Sequence, residues 1–324
     1  EKPFINFKLA GGQHTEKVGV NLLVDNKVVM SATGKNRNIL RNVSWDVAAY
    51  EGQHAQLQII DYETGGWGHV LVDQFVFSDH PARNQIEPAV WLDYGTDNYA
   101  GVTFFKAPNS DEQRHVFMGW MSNWLYANEV PSSNFRSAMT LPRELILVNS
   151  NHGLRVKSKL AKEVYKLKQQ ETGLKTLTAG DSLIVKEAVG KRSNTASIFS
   201  FNIDSKNNPI SSITLANDEG ESIGLVIDTK SNVVKLDRSL SGKTEFHSEF
   251  GSTQHALLNY EGDEISVTVV ADRGSVEVFI DDGLTVMTAL VFPKSVYTTL
   301  KTNDDTTEIH SVLGARLASI YAKK

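Results

Sequence analysis

Hydrophobic and polar positions alternate with a period of two along most of the chain, and helical spacing is nearly absent, so the pattern predicts an all-β protein. In the first segment it predicts strands at Phe4 to Leu9, Val18 to Val24, Lys27 to Ala32, Val43 to Val47, Ala55 to Asp61 and His69 to Phe77. Asp25-Asn26 is a tight hairpin step between two of these runs. Residues 79–88 are polar and hold two prolines, which cannot join a central ladder, so they read as a linker. About four strands are expected from Trp91 to Val148. Beyond Leu154, evenly spaced strands are expected at Ser182 to Glu187, Ala196 to Ile203, Ser211 to Ala216, Ser222 to Asp228, Val233 to Asp237, Thr253 to Leu258, Glu264 to Ala271, Val276 to Ile280, Val286 to Phe292 and His310 to Leu317. That spacing fits two packed antiparallel sheets. Lys159 to Leu167 reads as a short helix or an extended connector.

A length of 324 residues is enough for two domains or three small ones. A net charge of -5, with Lys and Arg spread through the chain, gives no basic footprint for nucleic acid or an anionic membrane surface. A neutral polymer is compatible. No apolar run approaches the roughly 20 residues of a membrane span, and no signal peptide precedes Glu1, as expected of a processed or truncated product. The absence of cysteine removes disulfides, thiolate metal sites and thiol nucleophiles without fixing the compartment. His14, His54, His69 and His80 lack metal-ligand spacing, so no metal is expected. Gly11-Gly12 is too short to cradle a phosphate.

The most specific signals are W-L-D-Y-G-T-D-N-Y-A-G (91–101), M-G-W-M-S-N-W (118–124) and F-R-S-A-M-T-L-P-R-E-L (135–145). Together they resemble one blade of the catalytic propeller in glycoside hydrolase family 32, the levanases, inulinases and invertases. The run from Asp272 to Pro293, D-R-G-S-V-E-V-F-I-D-D-G onward, is similar to the β-sandwich that follows the propeller; Gly274 replaces the more common serine. F-I-N-F-K-L-A-G-G (4–12) and T-G-G-W-G-H (64–69) resemble an accessory β-sandwich of bacterial levanase-type members. The resemblance implies two β-sandwiches flanking a single-blade part of a five-bladed propeller. Its domains are an accessory sandwich over residues 1–80 with a candidate role in carbohydrate binding, a blade over 81–150 and a C-terminal sandwich over 151–324.

The resemblance also implies retaining hydrolysis of β-fructofuranosyl bonds, by an Asp nucleophile and a Glu acid/base, with no cofactor. The family's W-M-N-D-P-N-G, R-D-P and E-C-P phrases, which supply those groups, do not occur here. No catalytic residue is therefore identifiable. A retaining pair needs carboxyl groups about 5–5.5 Å apart, and no spacing brings two of Asp93, Asp97, Glu129 and Glu144 to that separation. Asp93 and Asp97 flank a Tyr-Gly turn, where short acids cap backbone N–H groups, and Glu144 next to Arg143 reads as an ion pair.

For substrate binding the resemblance puts Trp120 at the subsite for a terminal fructose, with Asn123 and Trp124 close by; Asp93 and Trp67 are lesser candidates. A flat indole covers the C–H patch of a sugar. Against this, large aromatics are mostly core, and a separation of four puts both tryptophans on one side of a strand. Trp67, in its glycine turn, reads more simply as packing into its own sandwich. Arg136 and Arg143 read as internal clamps. Two functions stay open: part of a fructan or sucrose β-fructosidase whose catalytic carboxylates lie outside this chain, or a non-catalytic carbohydrate-binding or structural β-sandwich protein. The expected partners are a fructan- or sucrose-type carbohydrate and a second chain carrying the missing blades, in an extracellular or periplasmic setting.

Overall fold

The computed structural model describes residues 2–82, 89–104, 114–133, 135–151, 153–185 and 196–321. They are almost entirely β, and the chain divides into two compact units, residues 1–89 and 90–324.

The first unit is a sandwich of two three-stranded antiparallel sheets. One places β1 (Phe4–Gly11) between β4 (Arg37–Asp46) and β6 (Val70–Ser78); the other places β2 (Val18–Val24) between β3 (Lys27–Ala32) and β5 (Ala55–Asp61). Alternation dictates the core: Ile5, Phe7 and Leu9 point inward from β1, Val20 and Leu22 from β2, and Val43 and Trp45 from β4. Phe7 stacks on Phe75 at 5.0 Å and meets Trp45 edge-on at 4.7 Å. Asp25 and Asn26 carry φ of 49° and 59°, the left-handed pair that a two-residue hairpin needs. β4 begins six residues before the expected Val43. Its first half is wet on both faces and leaves no alternation to read.

In the second unit a blade of antiparallel strands runs in the order β11–β10–β8–β7: β7 (Tyr99–Phe104), β8 (Val116–Met121), β10 (Arg143–Ser150) and β11 (Gly153–Leu160), with the short β9 (Ala138–Met139) also on β8. This sheet does not close on itself, as befits one blade of an incomplete propeller. β11 pairs with β10 along its whole length, from Arg143 opposite Leu160 to Ser150 opposite Gly153.

A helical turn, α1 (Lys162–Tyr165), leads into the larger sandwich. Its first six-stranded sheet joins β12 (Lys168–Leu177), β23 (Ile309–Leu317), β14 (Ser197–Asp204), β19 (Glu264–Ala271), β20 (Ser275–Ile280) and β21 (Thr285–Leu290), in that order. The second joins β13 (Ser182–Ile184), β22 (Thr299–Thr302), β15 (Ile210–Ala216), β16 (Ser222–Asp228), β17 (Val233–Asp237) and β18 (Gln254–Leu257). Residues 186 and 187, the end of one expected strand, lie outside the described residues, as do 83–88 of the expected linker.

The two sheets close over one core, with Phe199, Phe201, Val267 and Val269 from the first meeting Ile213, Leu225, Ile227 and Leu236 from the second. β20 and β21 are buried on both faces. Leu160, at the end of β11, and Val164 of α1 pack with Phe279, Val286 and Leu317 on the outer side of the first sheet, with Leu141 against the same cluster. That second burial accounts for the burial of β20 and β21 on both faces and fixes the blade to the sandwich.

Candidate functional site

The segment Asp93–Asp97 lies along the free edge of β21. Tyr94 N–H donates to the Val286 carbonyl at 2.8 Å and Asp97 N–H to the Thr288 carbonyl at 3.3 Å. In return Asp93 Oδ1 accepts from Thr288 N–H at 3.0 Å, and Asp97 Oδ2 from Leu290 N–H at 2.8 Å. The phrase D-Y-G-T-D thus covers a strand edge that would otherwise expose unpaired backbone groups. Gly95 allows the approach, since a Cβ there would sit 2.1 Å from both Thr288 N and O.

Each of the two aspartates holds a buried arginine. Asp93 Oδ2 accepts from Arg143 Nη1 at 2.7 Å, from the Thr288 hydroxyl at 2.5 Å and from Asn98 Nδ2 at 3.0 Å. Arg143 also donates to Glu277 Oε2 at 2.5 Å and to Thr288 Oγ1 at 2.6 Å. Burial alone would raise the Asp93 carboxyl, but the Arg143 charge and the hydrogen bonds from Thr288, Arg143 and Asn98 outweigh it and hold it below the usual range. Burial wins at Glu277, whose carboxyl is pushed up despite Arg143 and the Leu141 N–H.

Arg238, at the end of β17, forms the second lock. Its Nη1 donates to Asp97 Oδ2 at 2.6 Å and to the Leu290 carbonyl at 3.1 Å, its Nη2 to the Tyr126 hydroxyl at 3.0 Å, and its Nε to the Phe250 carbonyl at 2.5 Å. The guanidinium lies 3.9 Å over the Phe250 ring. Tyr126 donates its proton to Asp97 Oδ1, and burial together with the Asp97 charge pushes its phenol up to about 12.

Beyond these locks, at the end of β8, three aromatic rings meet. Trp120 is half-buried and sits directly across from Tyr99 on β7, their centroids 6.1 Å apart. Trp124 lies 5.1 Å from Trp120 and 6.4 Å from Tyr99. The expectation that both tryptophans share one side of a strand does not hold, because β8 ends at Met121 and Trp124 belongs to the following turn, 67% exposed. Asn123 shapes that turn. Its Nδ2 donates to the Thr96 carbonyl at 2.8 Å, its Oδ1 accepts from Leu125 N–H at 2.9 Å, and its carbonyl accepts from Ala127 N–H at 2.8 Å. Tyr99 was not singled out from the sequence; the signal was its place in D-N-Y-A-G opposite the G-W-M strand.

Other side chains sit differently from expectation. Arg143 and Glu144 do not pair, because successive strand residues face opposite sides; Glu144 binds Arg114 at 3.1 Å, and Arg114 also forks onto Glu163. Arg136 is exposed and donates to the Asn128 carbonyl, so it is not an internal clamp like the fully buried Arg143. Glu129 is exposed. Trp67, in the first unit, is 40% exposed with φ of 60°, tilted on His69 at 5.6 Å. Its carbonyl occupies the space a Cβ on Gly12 would need.

Residues 28–158 match the family model for the glycosyl hydrolases family 32 N-terminal domain, and residues 156–314 match that for the family 32 C-terminal domain. The chain belongs to glycosyl hydrolases family 32. Its similar proteins include one of Aspergillus rugulosus that carries the name putative glycosyl hydrolase, 34% identical over 90% of this chain and 41% of that protein. The levanase of Bacillus subtilis is 30% identical over 71% of this chain and 34% of that enzyme. This chain therefore spans about a third to about two-fifths of the length of these relatives. The fold resembles the crystal structure of exo-inulinase from Aspergillus awamori, with a TM-score of 0.60 and 22% identity over 82% of this chain and 50% of the other.

Within this family 32 chain the described blade acids do not form a free carboxylate pair. Asp93 and Asp97 are buried with both oxygens of each occupied, and Glu144 is committed to Arg114. Among the described residues no group of three or more His, Asp or Glu is placed to hold a metal. What the end of β8 offers is an aromatic surface beside hydrogen-bonded turns, an arrangement suited to recognising a sugar.

Proposed function

We propose that this chain is part of a fructan or sucrose β-fructosidase of the levanase type, which binds a β-fructofuranosyl unit against Trp120 while the nucleophile and acid/base are supplied from outside this chain. The observation that carries the reading is the half-buried Trp120 at the end of the blade strand, within a family 32 chain whose relatives include levanases and extracellular exo-inulinases. Trp120 supplies the apolar wall under the sugar. Asn123 and Trp124 border it, and Asp93 acts one layer behind by holding Asn98 and the edge segment. In the domain plan, residues 1–80 are an accessory sandwich with Trp67 at its exposed loop, 81–150 the blade, whose sheet β11 extends across the boundary, and 151–324 the C-terminal sandwich. The enzyme works outside the cytoplasm on a fructan- or sucrose-type carbohydrate, and the remaining blades come from a second polypeptide or another part of the same protein. Retaining hydrolysis then proceeds through two carboxyl groups about 5–5.5 Å apart.

The test is saturation-transfer NMR of the 324-residue chain with fructose and sucrose. Wild type is expected to transfer magnetisation to the fructosyl protons, and Trp120→Ala to lose that transfer while keeping its unfolding transition. A signal that survives in Trp120→Ala would remove the tryptophan from the site. A second reading, a non-catalytic carbohydrate-binding or structural protein, is favoured by the full occupation of Asp93 and Asp97; sugar binding with no turnover in any assembled form would support it.

A further inference from the structure

We infer that Tyr99 and Trp124 form a second stacking subsite, beyond Trp120, that receives the next sugar unit of an oligomeric fructan; this rests on the reading that Trp120 holds a fructosyl unit. The first reason is the exposure of Trp124 beside a buried neighbour. Trp124 is 67% exposed, whereas Tyr126, two residues further along the same turn, is buried at 2%. The turn therefore directs one ring into the interior and holds the other out in solvent. It does so rigidly, since Asn123 ties its start to the Thr96 carbonyl and Tyr126 ties its far side to Asp97 and Arg238. An aromatic surface positioned before the ligand arrives loses little freedom on binding, which favours recognition.

The second reason is the backbone at Tyr99. The β7–β8 register shifts between Tyr99 and Val102, and Ala100 within that irregularity has φ of 47°, a left-handed conformation disfavoured for an alanine. Such a bulge re-aims a side chain at some cost in strain. Its consequence here is that Tyr99, 53% exposed, stands edge-on to both indoles, at 75° to Trp120 and 84° to Trp124, while the two indoles meet at 56°. The three rings form walls of a corner rather than one flat face. A furanose unit presents a C–H patch on one side and hydroxyls on its rim, so one unit against Trp120 brings its neighbour in the chain to Tyr99 and Trp124. The ligand class is a neutral oligofructoside of at least two fructosyl units.

The experiment titrates the 324-residue chain with fructose and with fructosylnystose, by ligand-observed NMR. Wild type is expected to bind the oligosaccharide about fivefold more tightly than fructose, the scale of one aromatic contact. Trp124→Ala and Tyr99→Ala are each expected to reduce that ratio to about twofold or less, with folding intact. Trp124→Phe and Tyr99→Phe, which keep a ring, should restore most of it. Trp120→Ala should weaken both sugars together. A length preference that survives both alanine variants would overturn the subsite, as would a wild type that binds fructose through Trp120 with no gain for the longer sugar. A wild type that binds neither sugar would overturn the Trp120 reading and the subsite with it.

Discussion

Replacing Arg143 by leucine tests the lock between blade and sandwich. Arg143 is fully buried, and its guanidinium serves Asp93 at 2.7 Å, Glu277 at 2.5 Å and Thr288 at 2.6 Å. Leucine would leave two buried carboxyl groups without their cation. Removing one partner of a buried pair costs about 3–5 kcal/mol, because the remaining charge is uncompensated. Asp93 would keep the N–H groups of Gly95 and Thr288, and Glu277 that of Leu141, which puts the loss toward the lower end.

For a unit of this size such a loss lowers the melting temperature by roughly 10 °C. The loss should also depend on pH in a defined direction. Without Arg143 both carboxyls have folded pKa values above their unfolded ones, so the deficit is smallest below about pH 4, the unfolded carboxylate range, and grows as the pH rises above it. In wild type only Glu277 is raised, while the depressed Asp93 carboxyl contributes stability that is lost as pH falls. Urea unfolding of both proteins across that range supplies the measurement, and the triple variant Asp93→Asn/Arg143→Leu/Glu277→Gln, which buries no charge, should recover at least half of the loss. A deficit below about 1 kcal/mol, or one that does not change with pH, would refute the reasoning.

Gly95→Ala should destabilise the second unit by about 2–4 kcal/mol in the same assay, because a Cβ would strike the Thr288 backbone and lift the edge segment with several hydrogen bonds. In an alkaline titration followed by tyrosine absorbance, Tyr126 should ionise near 12; stability should be intact below about pH 10 and fall as pH rises from there, and Tyr126→Phe should reduce that fall, leaving the part owed to the buried Tyr297, whose phenol is also pushed up. Trp124→Ala should change stability by less than about 0.5 kcal/mol, given its exposure; a loss of several kcal/mol would return it to a core role.

Period-two alternation was most legible where one strand face is wetter than the other, as in β16, β17 and β19, which have the bounds the pattern predicts. It failed where both faces are wet. β12, Lys-, Gln- and Glu-rich at the edge of its sheet, has no inward-facing apolar series over most of its length, and β11 is mixed in the same way. The aspartates of D-Y-G-T-D could be read as turn caps from their local spacing, but their partners lie in β21 and at Arg238, nearly two hundred and about 140 residues away. No local pattern carries such pairings. Arg143 could be recognised as a clamp from its chemistry, whereas its true acids could not be named, and the neighbouring Glu144 was the wrong choice because strand geometry turns it away. The aromatic cluster was half visible: two tryptophans stood out, but the end of β8 between them decided which would be exposed.

The central claim is that this chain recognises a fructoside while the reacting carboxyls lie elsewhere. Fructose release from levan, inulin and sucrose by the purified 324-residue chain, at micromolar protein over hours, tests it most directly. The expected release is no faster than a buffer blank, alongside Trp120-dependent sugar binding by the same sample. Release well above the blank, abolished by Asp93→Asn, Asp97→Asn, Glu129→Gln or Glu144→Gln, would contradict it by showing a working catalytic pair within this chain.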